Sequence, residues 1–161
     1  MKIFSIIVIA LTSAKPQEED CNNPADNDNC DYYSECIEFN PNFPTCGEHG
    51  YAIGYGLKYC RRYKENRPLF TNKVNEFLDQ VRPCLINKMR KYLNNTLDGI
   101  ITCEDIHDKA MEQHEFCYLR SGFCDLGIFE KFSLGKVVDL YDKIHGGIAF
   151  FLKLWAQCIE K

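Results

Sequence analysis

The sequence predicts an all-α domain of about four helices, stapled by disulfides. Three observations carry this expectation. Apolar residues recur every three or four positions, most clearly at Val74, Phe77, Leu78, Val81, Leu85, Met89 and Tyr92. Helix-start signals stand where such patterns begin, at Thr71 and at Thr102 with Asp105 three residues on. Ten cysteines, at 21, 30, 36, 46, 60, 84, 103, 117, 124 and 158, follow an apolar leader, an even count suited to five bridges formed in an oxidising compartment.

The leader reads as a signal peptide over residues 1–14. Met1-Lys2 is a short basic start, Ile3 to Leu11 is apolar or nearly so, and Thr12-Ser13-Ala14 supplies small residues for cleavage. The apolar run is far short of the roughly 20 residues that span a bilayer as a helix, and no later segment approaches that length. Residues 15–161 are therefore expected to form one secreted, extracellular domain with no membrane span. With 19 Lys+Arg against 23 Asp+Glu and no basic block, the chain lacks the footprint of nucleic-acid binding.

From the N-terminal side, Lys15 to Asp31 is acidic and almost without apolar residues, a solvated segment tied by Cys21 and Cys30. Asp26-Asn27-Asp28 does not make a calcium loop, because Cys30 falls where a ligand belongs and no Gly follows at the required turn. Pro41, Pro44 and Gly47-Glu48-His49-Gly50 mark a loop. A helical pattern starts at Tyr51, weakened by Gly54 and Gly56, and Arg67-Pro68 breaks it. The clearest helix spans Thr71 to Leu93, with Pro83 expected to kink it. A third covers Cys103 to Tyr118 and ends at Ser121-Gly122. A fourth is expected from Ser133 to Ile159, interrupted at Gly146-Gly147.

The third helix excludes one bridge. Cys103 and Cys117 would lie about 21 Å apart along its axis, whereas a disulfide holds its Cα atoms within about 4.4–6.8 Å. Each end of that helix must therefore be stapled to a different partner. Zinc is the competing use of cysteine, but the closest pair, Cys30 and Cys36, leaves five residues between them, too many for a knuckle.

The intervals between successive cysteines are 8, 5, 9, 13, 23, 18, 13, 6 and 33 residues. This order resembles the stanniocalcin family of secreted glycoprotein hormones, most closely from Cys60 to Cys124. Cys117-Tyr118 followed by Cys124 resembles the family's Cys-Tyr…Cys element, and Cys36-Ile37-Glu38 its Cys-Leu-Glu. The resemblance covers nearly all of Cys21 to Cys158. It implies the pairs Cys21–Cys36, Cys30–Cys60, Cys46–Cys103, Cys84–Cys117 and Cys124–Cys158. It also implies a hormone or paracrine factor touching calcium and phosphate handling, with an unknown protein receptor or partner. Family members are often covalent dimers through a further C-terminal cysteine. This sequence holds no eleventh cysteine, so a homodimer is expected to be non-covalent. The family's glycosylation site lies early, whereas the sequon here is Asn94-Asn95-Thr96.

His107-Asp108 on a helix resembles part of secreted phospholipase A2, and Cys46-Gly47 with Gly50 faintly echoes its calcium loop, yet no adjacent cysteine pair precedes His107. His107 and His114 share a helix face, but their spacing of seven is not the i, i+4 of a metal motif. No catalytic residue, metal site or cofactor is expected. A divergent phospholipase A2-like enzyme and a secreted effector or venom-type interaction protein remain the alternatives to the hormone reading.

The last helix carries a heptad-like stripe of Val137, Tyr141, Ile144, Ile148, Phe151, Trp155 and Cys158, broadened by Leu140, Leu152, Leu154 and Ile159. A stripe this broad suits burial in a core. The sharper expectation is an interface built from Tyr141, Ile144, Ile148, Phe151, Leu154 and Trp155.

Overall fold

The computed structural model describes Cys21, residues 28–96 and residues 100–159, and no strand occurs among them. The expected signal peptide 1–14 and most of the acidic segment lie outside these residues. All five disulfides are made within one helical domain, so the all-α, disulfide-stapled fold read from the sequence is the fold observed.

The described chain starts with two wide helical turns. Tyr33–Glu38 buries Tyr33, Cys36, Ile37 and Glu38, and Tyr51–Leu57 runs directly into α1 (Lys58–Glu65). Gly56 costs helix propensity, but it is where the Tyr33 ring passes: a Cβ there would overlap the ring. Arg67–Leu69 forms a 3₁₀ turn at the break expected around Pro68.

The central element, α2 (Asn72–Asn94), continues through Pro83. Thr71 caps it, its Oγ1 accepting the Val74 N–H at 3.3 Å. Two core clusters divide along this helix. Val74, Phe77, Leu78, Val81 and Leu85 pack with Cys117, Phe123, Leu134 and Leu154 from the C-terminal region. Further along, Ile86, Met89 and Leu93 pack with Ile37, Tyr51, Ala52, Ile106 and Ala110. Each fully buried aliphatic residue contributes roughly 1.5–3 kcal/mol, so α2 links the two halves of the chain.

α3 (Cys103–Arg120) starts on the expected cap. The Asp105 N–H donates to Thr102 Oγ1 at 3.1 Å, and the Thr102 N–H donates back to the Asp105 carboxylate at 2.8 Å. Gly122, at φ 91°, turns the chain out of the helix end.

The single fourth helix expected from Ser133 to Ile159 is not what forms. α4 (Ile128–Leu134) begins earlier, its entry fixed by the Gly127 N–H donating to Glu130 Oε2 at 2.7 Å. The chain then passes through a 3₁₀ turn at Gly135–Val137, extended backbone at Val138 and Asp139, a turn at Leu140–Asp142 and a wide turn at Lys143–Gly147. Only then does α5 (Ile148–Ile159) start. The interruption at Gly146-Gly147 is present, with Gly146 at φ 148°, a conformation open essentially to glycine.

The break at Asp139 is made by α1. Lys58 Nζ lies 2.6 Å from Asp139 Oδ2 and 2.9 Å from Asp142 Oδ2, and Arg62 lies 2.5 Å from Asp139 Oδ1. Tyr59 donates its hydroxyl to Asp142 and accepts the Asp139 N–H at 3.2 Å. Arg62 also donates to the Val137 carbonyl at 3.1 Å. Together these contacts hold the segment extended where local pattern alone would continue a helix.

Candidate functional site

The bridges are Cys21–Cys36, Cys30–Cys60, Cys46–Cys103, Cys84–Cys117 and Cys124–Cys158, with Cα–Cα distances between 5.2 and 5.7 Å. These coincide with the pairs that the stanniocalcin order implies. α3 is stapled at its start to the loop at Cys46 and near its end to α2 at Cys84. Glu38, from the Cys-Ile-Glu element, positions the first staple. Its buried carboxylate accepts the backbone N–H groups of Gly47 at 2.6 Å and Cys46 at 3.3 Å, so the turn that presents Cys46 is also what satisfies the charge.

The two histidines of α3 have different surroundings despite their shared nominal face. His107 is exposed, with Nδ1 3.2 Å from Asp108 Oδ1. His114 is buried among Tyr51, Tyr55, Tyr118 and Phe150. The cover comes from the Tyr51–Leu57 turn and α5, which reach the second half of α3. Burial drives the His114 pKa down to about 4. The pair is thus separated by environment, and among the described residues no cluster of His, Cys, Asp or Glu is arranged to hold a metal.

Asn94 is the last residue of α2 and exposed, with Asn95 as the cap. Thr96 of the sequon donates its hydroxyl to the carbonyls of Leu93 at 3.0 Å and Tyr92 at 3.1 Å.

The proposed interface residues do not form one stripe. Tyr141, Ile144 and Ile148 are exposed, Phe151 and Trp155 are half-buried, and Leu154 is fully buried in the core. Leu154 is therefore a packing residue and not part of any free surface. Heptad geometry fails because the chain bends twice between Val137 and Ile148, so a spacing of seven no longer means a common face. Leu140 and Leu152 are exposed beside the outer members.

An open apolar cavity of about 580 Å³ lies between α4 and α5, a feature sequence reasoning missed. Tyr63, Tyr118, Leu134, Phe150, Phe151 and Trp155 form much of its wall. Phe132 stacks on Phe151 at 6.0 Å, and Trp155 meets Phe151 edge-on at 5.7 Å. Its charged lining residues are all cationic, namely Lys131, Lys136 and Lys143. Lys131 is buried. It donates to the carbonyls of Leu126 and Cys124 and sits 5.4 Å over the Phe123 ring and 5.7 Å over the Trp155 ring. The aromatic richness of residues 150–155 was legible, but the space was not, since it depends on the bend that brings α5 back across α4.

No helix of the described residues is long and apolar enough to cross a membrane. No family model matches the chain, and neither a curated protein nor a solved structure matches it.

Proposed function

We propose that this protein is a secreted, stanniocalcin-like hormone or paracrine factor that acts by binding a protein receptor and bears on calcium and phosphate handling. One observation carries the reading: on an all-helical chain, all ten cysteines pair in the order that the resemblance implies. Ten cysteines admit on the order of a thousand pairings, so agreement of all five is a demanding match. Five bridges also suit an oxidising, extracellular setting. Because every cysteine is used, self-association would be non-covalent and would draw on the exposed Tyr141, Ile144 and Ile148.

The test is secretion followed by binding. The full chain is expressed in eukaryotic cells, purified from the medium, radiolabelled and applied to epithelial cells. Saturable, displaceable binding with altered calcium or phosphate uptake is expected. Retention inside the producing cells, or surface binding that unlabelled protein does not displace, would overturn the reading. Calcium-dependent release of fatty acid from phospholipid would favour the enzyme alternative instead.

A further inference from the structure

The cavity between α4 and α5 differs from an ordinary packing gap in two respects. Its volume of about 580 Å³ falls in the range of roughly 300–1,000 Å³ typical of small-molecule sites. Its lining is aromatic and aliphatic, yet holds three lysines and no carboxylate. A buried ammonium is normally paired with an opposite charge. Lys131 is 7% exposed, and the groups it meets are two carbonyls and two ring faces, with no carboxylate within 4.0 Å among the described residues. Lys136 reaches only the Leu69 carbonyl, at 3.4 Å, and Lys143 makes no ion pair among the described residues. By contrast Lys58, Arg62, Arg67, Arg82 and Lys153 each meet a carboxylate. Three cations without a carboxylate partner among the described residues thus share one apolar cavity.

We infer that this cavity binds a single-chain anionic amphiphile, its hydrocarbon against Tyr63, Phe150, Phe151 and Trp155 and its anionic head met by the lysines. An acyl chain suits a wall that offers no fixed array of hydrogen-bond groups. The head supplies the counter-charge that the lining lacks. The shared chemistry is one hydrocarbon chain and one anionic group, whether a free fatty acid or a lysophospholipid delivers it. Ile148 and Leu152, each more than half exposed, also line the opening and would be covered by the occupant.

The test uses the full chain purified from eukaryotic medium, with a fluorescent fatty acid, cis-parinarate, as the probe. One-to-one saturable binding is expected, displaced by oleate at least tenfold more effectively than by oleyl alcohol. Among saturated fatty acids, affinity should rise roughly threefold to fourfold per added methylene until the cavity is filled. Charge reversal at the opening, Lys136→Glu with Lys143→Glu, should weaken oleate at least tenfold and leave oleyl alcohol unchanged. Gly135→Leu should block both ligands without disturbing the fold. Its backbone lies at φ −71°, and a Cβ there meets only Lys143 Cε, at 3.8 Å. Preference for lysophosphatidate over oleate would support the inference and identify the head. Equal displacement by oleate and oleyl alcohol, or no saturable binding in a protein with intact disulfides, would overturn it. Binding confined to phosphatidylserine vesicles would also overturn it, pointing to a membrane surface.

Discussion

The imidazole of His114 donates from Nδ1 to the carbonyl oxygen of Ala110, 2.8 Å away and one turn earlier on the same helix. This contact fixes the tautomer and leaves Nε2 as the unprotonated nitrogen, inside a cluster of Tyr51, Tyr55, Tyr118 and Phe150 rings. Burial favours the neutral ring and lowers its pKa from 6.5 to about 4, with the nearby His107 adding a smaller push in the same direction.

A pH dependence of stability follows from that pair. Between pH 6.5 and about 4 the unfolded chain holds a proton on this histidine that the folded chain does not. Its contribution is complete above pH 6.5 and is lost as pH falls towards 4, by roughly 3 kcal/mol at about 1.4 kcal/mol per unit. Urea midpoints at pH 7.5 and 4.5 would read this, and His114→Gln should flatten the difference. Asp139 adds a separate, more acidic loss. Its hydrogen bonds from Arg62 and Lys58 hold its pKa down to about 2, so its stabilisation is present above the ordinary 3.8 and disappears as pH falls towards 2.

Leu154 and Leu152 test which side of α5 is core. Leu154→Ala should cost about 2–5 kcal/mol, since its side chain is fully enclosed. Leu152→Ala, at an exposed position, should stay within about 0.5 kcal/mol. Denaturant unfolding decides, and similar losses at both positions would contradict the placement of α5. For the same reason Leu154→Asp is expected to unfold the domain, whereas Ile148→Asp should leave it folded and is the appropriate probe of self-association.

The Cys84–Cys117 bridge ties α2 to α3 across 33 residues of sequence. Replacing both cysteines with alanine should lower stability by about 2–4 kcal/mol, chiefly by freeing the unfolded chain. Peptide mapping of the unreduced protein should recover Cys84 linked to Cys117 and Cys46 linked to Cys103. Recovery of Cys103 with any other partner would refute this arrangement.

Thr102→Ala should remove the cap of α3 at a cost of about 1 kcal/mol, with Thr102→Ser retaining most of the stability. Thermal unfolding checks this. Because Cys103 adjoins the cap, amide exchange in the first turn of α3 should also quicken in the alanine variant.

The local devices of this fold could be read from the chain alone. Thr71 and Thr102 cap helices because a side-chain oxygen beside a free N–H acts over three residues. The face of α2 from Val74 to Leu93 follows from a period of 3.6 residues. The exclusion of a Cys103–Cys117 bridge needs only the rise of a helix. The full pairing came instead from a resemblance, since spacing narrows the choices but does not select among them.

What only the tertiary structure decided lies in contacts between distant segments. Residues 133–159 carry the apolar content of one long helix, and nothing local forbids it before Gly146. Lys58, Tyr59 and Arg62, some eighty positions earlier, capture Val137, Asp139 and Asp142 and hold that stretch open. That capture buries Leu154, exposes Tyr141 and Ile144, and creates the lysine-lined cavity. Helix periodicity is a property of neighbours in sequence, whereas a bend made by charges on another helix is not.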